Sequence, residues 1–221
     1  MLANTVLALS FLPLTFAHFN LNFPPTRGFD DDKEGTFPCG TFDDVSKNRT
    51  DFPISGGPIQ LTLGHPQTNV AVYMAIGDNP GSGFSIVAKK QFMVEGLGDF
   101  CMGSVAVPEG VNVTSGTKAT IQVITNAHGE GGLYQCTDVT LVSKQLSQSE
   151  FSSNCKNNTG VKVTQENISG NPNGTSTSTG PSTSTSASGQ GSSPKATGAA
   201  SQAKAASWVL GAVGLAGIAM L

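Results

Sequence analysis

Six short segments (Pro58 to Leu63, Asn69 to Ile76, Phe84 to Val94, Ser104 to Val107, Lys118 to Thr125 and Leu133 to Ser143) are rich in Val, Ile, Thr and aromatic residues. Each stops at a cluster of Gly, Pro, Asn or Asp, such as Gly77–Gly83 or Pro108–Gly110. Such residues set the backbone for turns, so the interruptions leave room for strands but not for helices of ordinary length. No amphipathic stretch is long enough to predict a helix. The pattern predicts an all-β fold, an antiparallel sandwich of the immunoglobulin or fibronectin-III type. In Leu133–Val139, alternation puts Tyr134, Cys136 and Asp138 on one face and Leu133, Gln135, Thr137 and Val139 on the other. Pro24 to Pro53, with its Gly, Pro and charged residues, predicts an irregular excursion off the sandwich.

The ends of the chain bound the folded part. Met1 to Ala17 has an apolar core and closes on Thr15-Phe16-Ala17, whose small residues suit signal-peptidase cleavage before His18. Residues 208–221 are apolar and uncharged, too short for a membrane span of about 20 residues, and follow a polar spacer of small residues. That is the layout of a GPI-attachment signal, with Ser193 and Gly198 as candidate attachment residues. From about Ser169 to Ala200 the chain is almost entirely Ser, Thr, Gly, Pro and Ala, which cannot bury enough surface to offset the entropy of ordering. The predicted organisation is a signal peptide (1–17), one domain (18–165), a Ser/Thr-rich glycosylated stalk (166–200) and a removed GPI signal (201–221). A protein of this kind sits on the outer face of the plasma membrane, in contact with the GPI lipid, or in the cell wall.

Composition agrees with an extracellular, monomeric protein. N-x-S/T sequons begin at Asn48, Asn112, Asn157, Asn167 and Asn173. The four cysteines, Cys39, Cys101, Cys136 and Cys155, are an even number without a C-x₂-C pair, which favours two disulfides over zinc and leaves three pairings open. A net charge of −3 without a basic patch excludes nucleic acid as a partner.

The chain has three histidines, His18, His65 and His128. Cleavage before His18 would give one residue two nitrogen donors, an α-amine and an imidazole. The amine, with an ordinary pKa of about 7.7–8.0, yields its proton readily to a metal near neutral pH. With His65 the set reaches three nitrogens, which suits the tetragonal preference of Cu(II). His65 lies in Leu63-Gly64-His65-Pro66, at a strand end where Pro66 holds the chain extended. His128, in the Gly-rich stretch Asn126–Gly132, reads as solvated or as an outer partner of the site.

These features resemble the fungal copper proteins similar to lytic polysaccharide monooxygenases, among them the Bim-type copper acquisition factors. The resemblance rests on a cut before His, an internal His after a strand, and the late strand Tyr134-Gln135-Cys136-Thr137-Asp138-Val139. The motifs Gly96-Leu97-Gly98-Asp99-Phe100-Cys101 and Ala119-Thr120-Ile121-Gln122-Val123 and the whole chain layout add to it. It implies one copper held in a histidine brace by His18 and His65, with an aspartate carried onto Asp138. Asp99 and Glu130 are the other acids to consider. A buried Asp138 needs a partner, which copper, backbone donors or a threonine hydroxyl would supply. The resemblance also implies the pairing Cys39–Cys136 and Cys101–Cys155, and for some members delivery of copper to a plasma-membrane importer.

Two departures from the monooxygenases point to binding without catalysis. The only Trp is Trp208, in the tail, and the only tyrosines, Tyr73 and Tyr134, fall inside predicted strands, so no Trp or Tyr platform for sugar stacking is predicted. A carboxylate on copper would also favour Cu(II) over the Cu(I) that oxygen activation requires. The expectation is therefore a cell-surface copper-binding protein that is not an enzyme, with a copper monooxygenase acting on wall polysaccharide as the alternative. N-terminal sequencing of the secreted protein is expected to read His18-Phe19-Asn20; any other start removes the brace.

Overall fold

The computed structural model describes residues 18–126 and 132–169, all within one compact unit. The strands are β1 (Phe19–Phe23), β2 (Thr50–Pro53), β3 (Gly57–Leu63), β4 (Gln67–Ile76), β5 (Ile86–Glu95), β6 (Gly98–Val105), β7 (Lys118–Asn126), β8 (Leu133–Val142) and β9 (Lys162–Gln165), with a short helix α1 (Gln148–Ser153) before β9. They form a sandwich of two sheets, β1-β3-β6 and β2-β8-β7-β4-β5-β9. Alternate residues turn inward from both: Phe19 and Leu21 of β1 and Ile59, Leu61 and Leu63 of β3 meet Val70, Val72 and Met74 of β4 and Ile121 and Val123 of β7. Burying each large apolar side chain contributes about 1.5–3 kcal/mol, which holds the layers together.

Several local expectations need correction. The larger sheet is mixed, because β2 runs parallel to β8. It arrives at the end of the long excursion and not through a hairpin, so nothing forces it antiparallel. The excursion thus ends in a strand, anchored by the fully buried Phe52. Strand β6 begins at Gly98, ahead of the Ser104 start expected from sequence, and Gly96 and Gly98 adopt positive φ at its entry. The helix α1 is real but six residues long, too short to show a helical period, and rests on a capping box between Ser147 and Glu150. Strand β9 has every side chain exposed, so no alternation betrays it.

The excursion is fastened along β8. Arg27 N–H and Thr26 Oγ1 donate to the Cys136 carbonyl, Tyr134 N–H to the Glu34 carbonyl and Thr137 Oγ1 to the Pro25 carbonyl. The disulfide Cys39–Cys136 adds a covalent tie. Gly40, at φ 62°, makes the turn beside it, where a Cβ would stand 3.0 Å from the Tyr134 carbonyl oxygen. A second disulfide, Cys101–Cys155, joins β6 to the chain after α1. The sequon asparagines Asn48, Asn112, Asn157 and Asn167 are all exposed; Asn173 lies outside the described residues.

Asp138, on the excursion side of β8, is the centre of this fastening. Its carboxylate accepts from Arg27 Nε and Nη2, each at 2.8 Å, from Thr120 Oγ1 at 2.6 Å and from the Ser46 backbone N–H at 2.7 Å. Burial pushes its pKa up, but the hydrogen bonds from Arg27, Thr120 and Ser46 and the charge of Arg27 outweigh that and hold it below the ordinary carboxylate value. Its stabilisation is therefore present above the unfolded-state pKa and lost as pH falls through the lower folded-state value. Asp138→Ala leaves the Arg27 guanidinium buried without its counter-charge and is expected to lower unfolding free energy by about 3–5 kcal/mol in urea titration at neutral pH.

Candidate metal centre

The register of β1 on β3 decides what stands beside His18. Phe19 pairs with Leu63, and the His18 carbonyl accepts from Gly64 N–H at 3.0 Å. His65 follows Gly64, where the chain crosses from the smaller sheet into β4 of the larger one. The two histidines, far apart in sequence, thus occupy one end of the sandwich. His65 is 3% exposed, and its turn is pegged by Gly96 N–H donating to the Pro66 carbonyl at 2.9 Å. Its Nδ1 lies 3.1 Å from the Gln67 carbonyl oxygen. Gln67 N–H stands further off, 3.5 Å from the same nitrogen; with the ring proton on Nδ1 the shorter contact is a hydrogen bond, and Nε2 then carries the lone pair. Orienting a metal-ligating imidazole through its other nitrogen in this way is the usual arrangement.

His18 is partly exposed. Asp31, in the middle of the acidic run Asp30-Asp31-Asp32, places Oδ1 3.9 Å from His18 Nδ1. The Phe29 ring stands edge-on to His18, centroids 6.5 Å apart and planes at 81°. Phe37 makes a similar contact with Tyr134 at 5.4 Å. Both phenylalanines are exposed, 37% and 46%, so aromatic surface exists on the excursion, where only Trp and Tyr had been considered.

Asp138 does not belong to this end, and its proposed role as a ligand is corrected. It faces Thr120 on β7, which in turn faces Ala75 near the end of β4, whereas His65 immediately precedes the start of β4. From Leu133 to Asp138 is five steps of β8, roughly 17 Å at about 3.4 Å per residue. Its oxygens are already occupied by Arg27, Thr120 and Ser46, so the threonine hydroxyl and backbone donor weighed from sequence are its partners, with an arginine added. Asp99 accepts from Thr62 Oγ1 at 3.0 Å on the outer face of the smaller sheet. His128 and Glu130 lie outside the described residues. Among the described residues no three His, Cys, Asp or Glu side chains gather as a metal cluster. A brace needs only two histidines, because its third nitrogen is the terminal amine.

Glu34 went unnoticed in the sequence and is the most unusual acid of the domain. It is 1% exposed. Its Oε1 accepts from Gln135 Nε2 at 2.6 Å, and the Phe19 backbone N–H lies near enough to favour the charged form. No hydrogen-bond partner reaches Oε2 among the described residues. Burial, with a smaller push from the charge of Asp31, outweighs the two donors and raises its pKa to about 8. The signal for it was Gln135, a polar residue on the core-facing side of β8. Because the folded-state pKa exceeds the unfolded value, the penalty of ionising Glu34 is absent below about pH 4.5 and grows as pH rises towards 8. Metal-free protein is therefore expected to lose stability between those values, and Glu34→Gln to flatten that slope in denaturant titrations across pH.

Comparison with known proteins places this geometry in a family. Residues 16–160 match the copper acquisition factor BIM1-like domain. An uncharacterised protein of Aspergillus fumigatus is 41% identical over 160 residues, covering 70% of this chain and 65% of the relative. The copper acquisition factor BIM1 of Cryptococcus neoformans is 33% identical over 147 residues, 62% of this chain and 66% of the relative. The lytic polysaccharide monooxygenase-like protein ham-7 of Neurospora crassa is 32% identical over 186 residues, 73% of this chain and 80% of the relative. The chain thus spans slightly less than two thirds of the first two relatives. Since the matching domain covers more than half of its residues, the chain belongs to the copper acquisition factor BIM1-like family.

Proposed function

We propose that this chain is a cell-surface copper(II)-binding protein that captures copper outside the cell and passes it on without turning over a substrate. The observation that carries this reading is the β1–β3 register, which pairs His18 with Gly64, the neighbour of His65, while His65 Nδ1 lies against the Gln67 carbonyl and leaves Nε2 for a metal. After cleavage before His18, the α-amine and Nδ1 of His18 and Nε2 of His65 would supply three nitrogens, a set that favours Cu(II) among common divalent ions. Asp31 takes the carboxylate role first assigned to Asp138, because it already approaches His18. The copper acquisition relatives support a copper role; a plasma-membrane importer is the acceptor this reading proposes.

The rest of the chain fits that task as a tether. The signal peptide, the glycosylated stalk from residue 166 and the GPI signal from residue 201, cut near Ser193 or Gly198, would display the domain at the outer membrane face or in the wall. The exposure of Asn48, Asn112, Asn157 and Asn167 suits glycosylation there.

A second reading, a copper monooxygenase acting on wall polysaccharide, draws support from the exposed Phe29 and Phe37 rings and from the relative named monooxygenase-like. The two are separated with purified, N-terminally processed protein. Copper titration is expected to give one Cu(II) per chain, lost in His18→Ala and in His65→Ala. No stoichiometric binding would leave a metal-free wall protein. With ascorbate and chitin, cellulose or β-glucan, no oxidised oligosaccharide is expected above the His18→Ala control; its appearance would establish the monooxygenase.

A further inference from the structure

Strand β1 is the outer strand of the smaller sheet, so only one of its edges is paired by β3. Because His18 bonds towards β3 through its carbonyl, Phe19 and Leu21 turn their backbone groups to the other edge. Those groups are met by side chains and not by a strand. Gln135 Oε1 accepts from Leu21 N–H at 2.9 Å and Gln135 Nε2 donates to the Phe19 carbonyl, with the Glu34 carboxylate standing near Phe19 N–H. Gln135 also donates to Glu34, so the two side chains form one unit. The Gln135 carboxamide stands where a peptide group of a neighbouring strand would stand. Its source is β8 in the opposite sheet, and Glu34 is brought to it by the excursion, whose backbone accepts from Tyr134 N–H at 2.8 Å.

We propose that Glu34 and Gln135 are positioning residues for the copper-binding N-terminus: they clamp the free edge of β1 so that His18 stands in one arrangement before metal arrives. The inference rests on the histidine-brace reading above. The first residues of a chain fray unless they are tied down. A terminal residue that must offer its amine and its ring to one ion would otherwise be ordered at the expense of binding free energy. The clamp holds residues 19 and 21 and leaves the nitrogen donors of His18 unchanged in number.

The test compares N-terminally processed protein, its start verified by mass spectrometry, with four variants. Gln135→Met keeps the side-chain volume and removes both hydrogen-bonding functions. Glu34→Gln keeps an acceptor for the Gln135 carboxamide and serves if Gln135→Met does not fold. Phe52→Leu weakens the core at β2, which pairs with β8 over Val139–Val142 and not at Gln135, and controls for lost stability alone. His18→Ala controls for the brace itself. Gln135→Met is expected to weaken Cu(II) binding by about 10- to 100-fold, the range for partners that orient metal ligands, and to split the Cu(II) electron paramagnetic resonance spectrum into several species at saturating copper. Glu34→Gln is expected to retain a single species with a smaller loss, and Phe52→Leu to bind as the unaltered protein does. Unchanged affinity and a single spectrum in Gln135→Met, or an equal loss in Phe52→Leu, would overturn the clamp. Undiminished binding in His18→Ala would instead overturn the brace, which keeps the two failures apart.

Discussion

The excursion between β1 and β2 stays on the sandwich because Asp138 holds Arg27. Both side chains are nearly sealed from water, 0% and 4% exposed, and the guanidinium meets the carboxylate through two nitrogens. Such a pair adds little net stability, since removing both charges from water costs nearly as much as their attraction returns. Its effect is on geometry. A planar fork on a carboxylate accepts one orientation, and Thr120 and Ser46 complete the set, so Arg27 and Ser46 each have one place along β8. The Cys39–Cys136 disulfide and the hydrogen bonds at Pro25, Glu34 and Cys136 follow from that placement.

From this fastening comes the environment of the histidines. The same excursion brings Phe29 and Asp31 to His18 and carries Glu34 beneath β1. Two acids three positions apart meet different fates. Asp31 stays about half exposed beside an imidazole, while Glu34 is buried against the Gln135 carboxamide with a pKa raised to about 8. The histidine end is thus held by polar contacts between layers, whereas the middle of the sandwich is held by apolar packing.

Much of this could be read from residues alone. Strands β3, β4, β7 and β8 were legible because each is a run rich in Val, Ile, Thr and aromatics bounded by turn residues, and most side chains in them are buried, on both faces. The alternation in β8 also sorted Asp138 and Gln135 to opposite faces correctly. Less legible were β2 and β9, one reduced to Phe52 as its apolar anchor and the other without a buried side chain. Asp138 misled because a buried carboxylate announces that it has a partner but not which one. Its partner, Arg27, is 111 residues away.

The amino-acid order by itself determined that the chain folds as a β-sandwich of the copper acquisition kind, with His18 and His65 as its metal-binding candidates. Periodicity, turn chemistry and family motifs are local properties, written into neighbouring residues. Only the tertiary structure decided that the histidines share one end, that Asp31 and not Asp138 stands near His18, and that Gln135 holds the strand that follows His18. Those facts depend on strand register and on the path of an irregular segment, set by contacts between residues many tens of positions apart that no local pattern records.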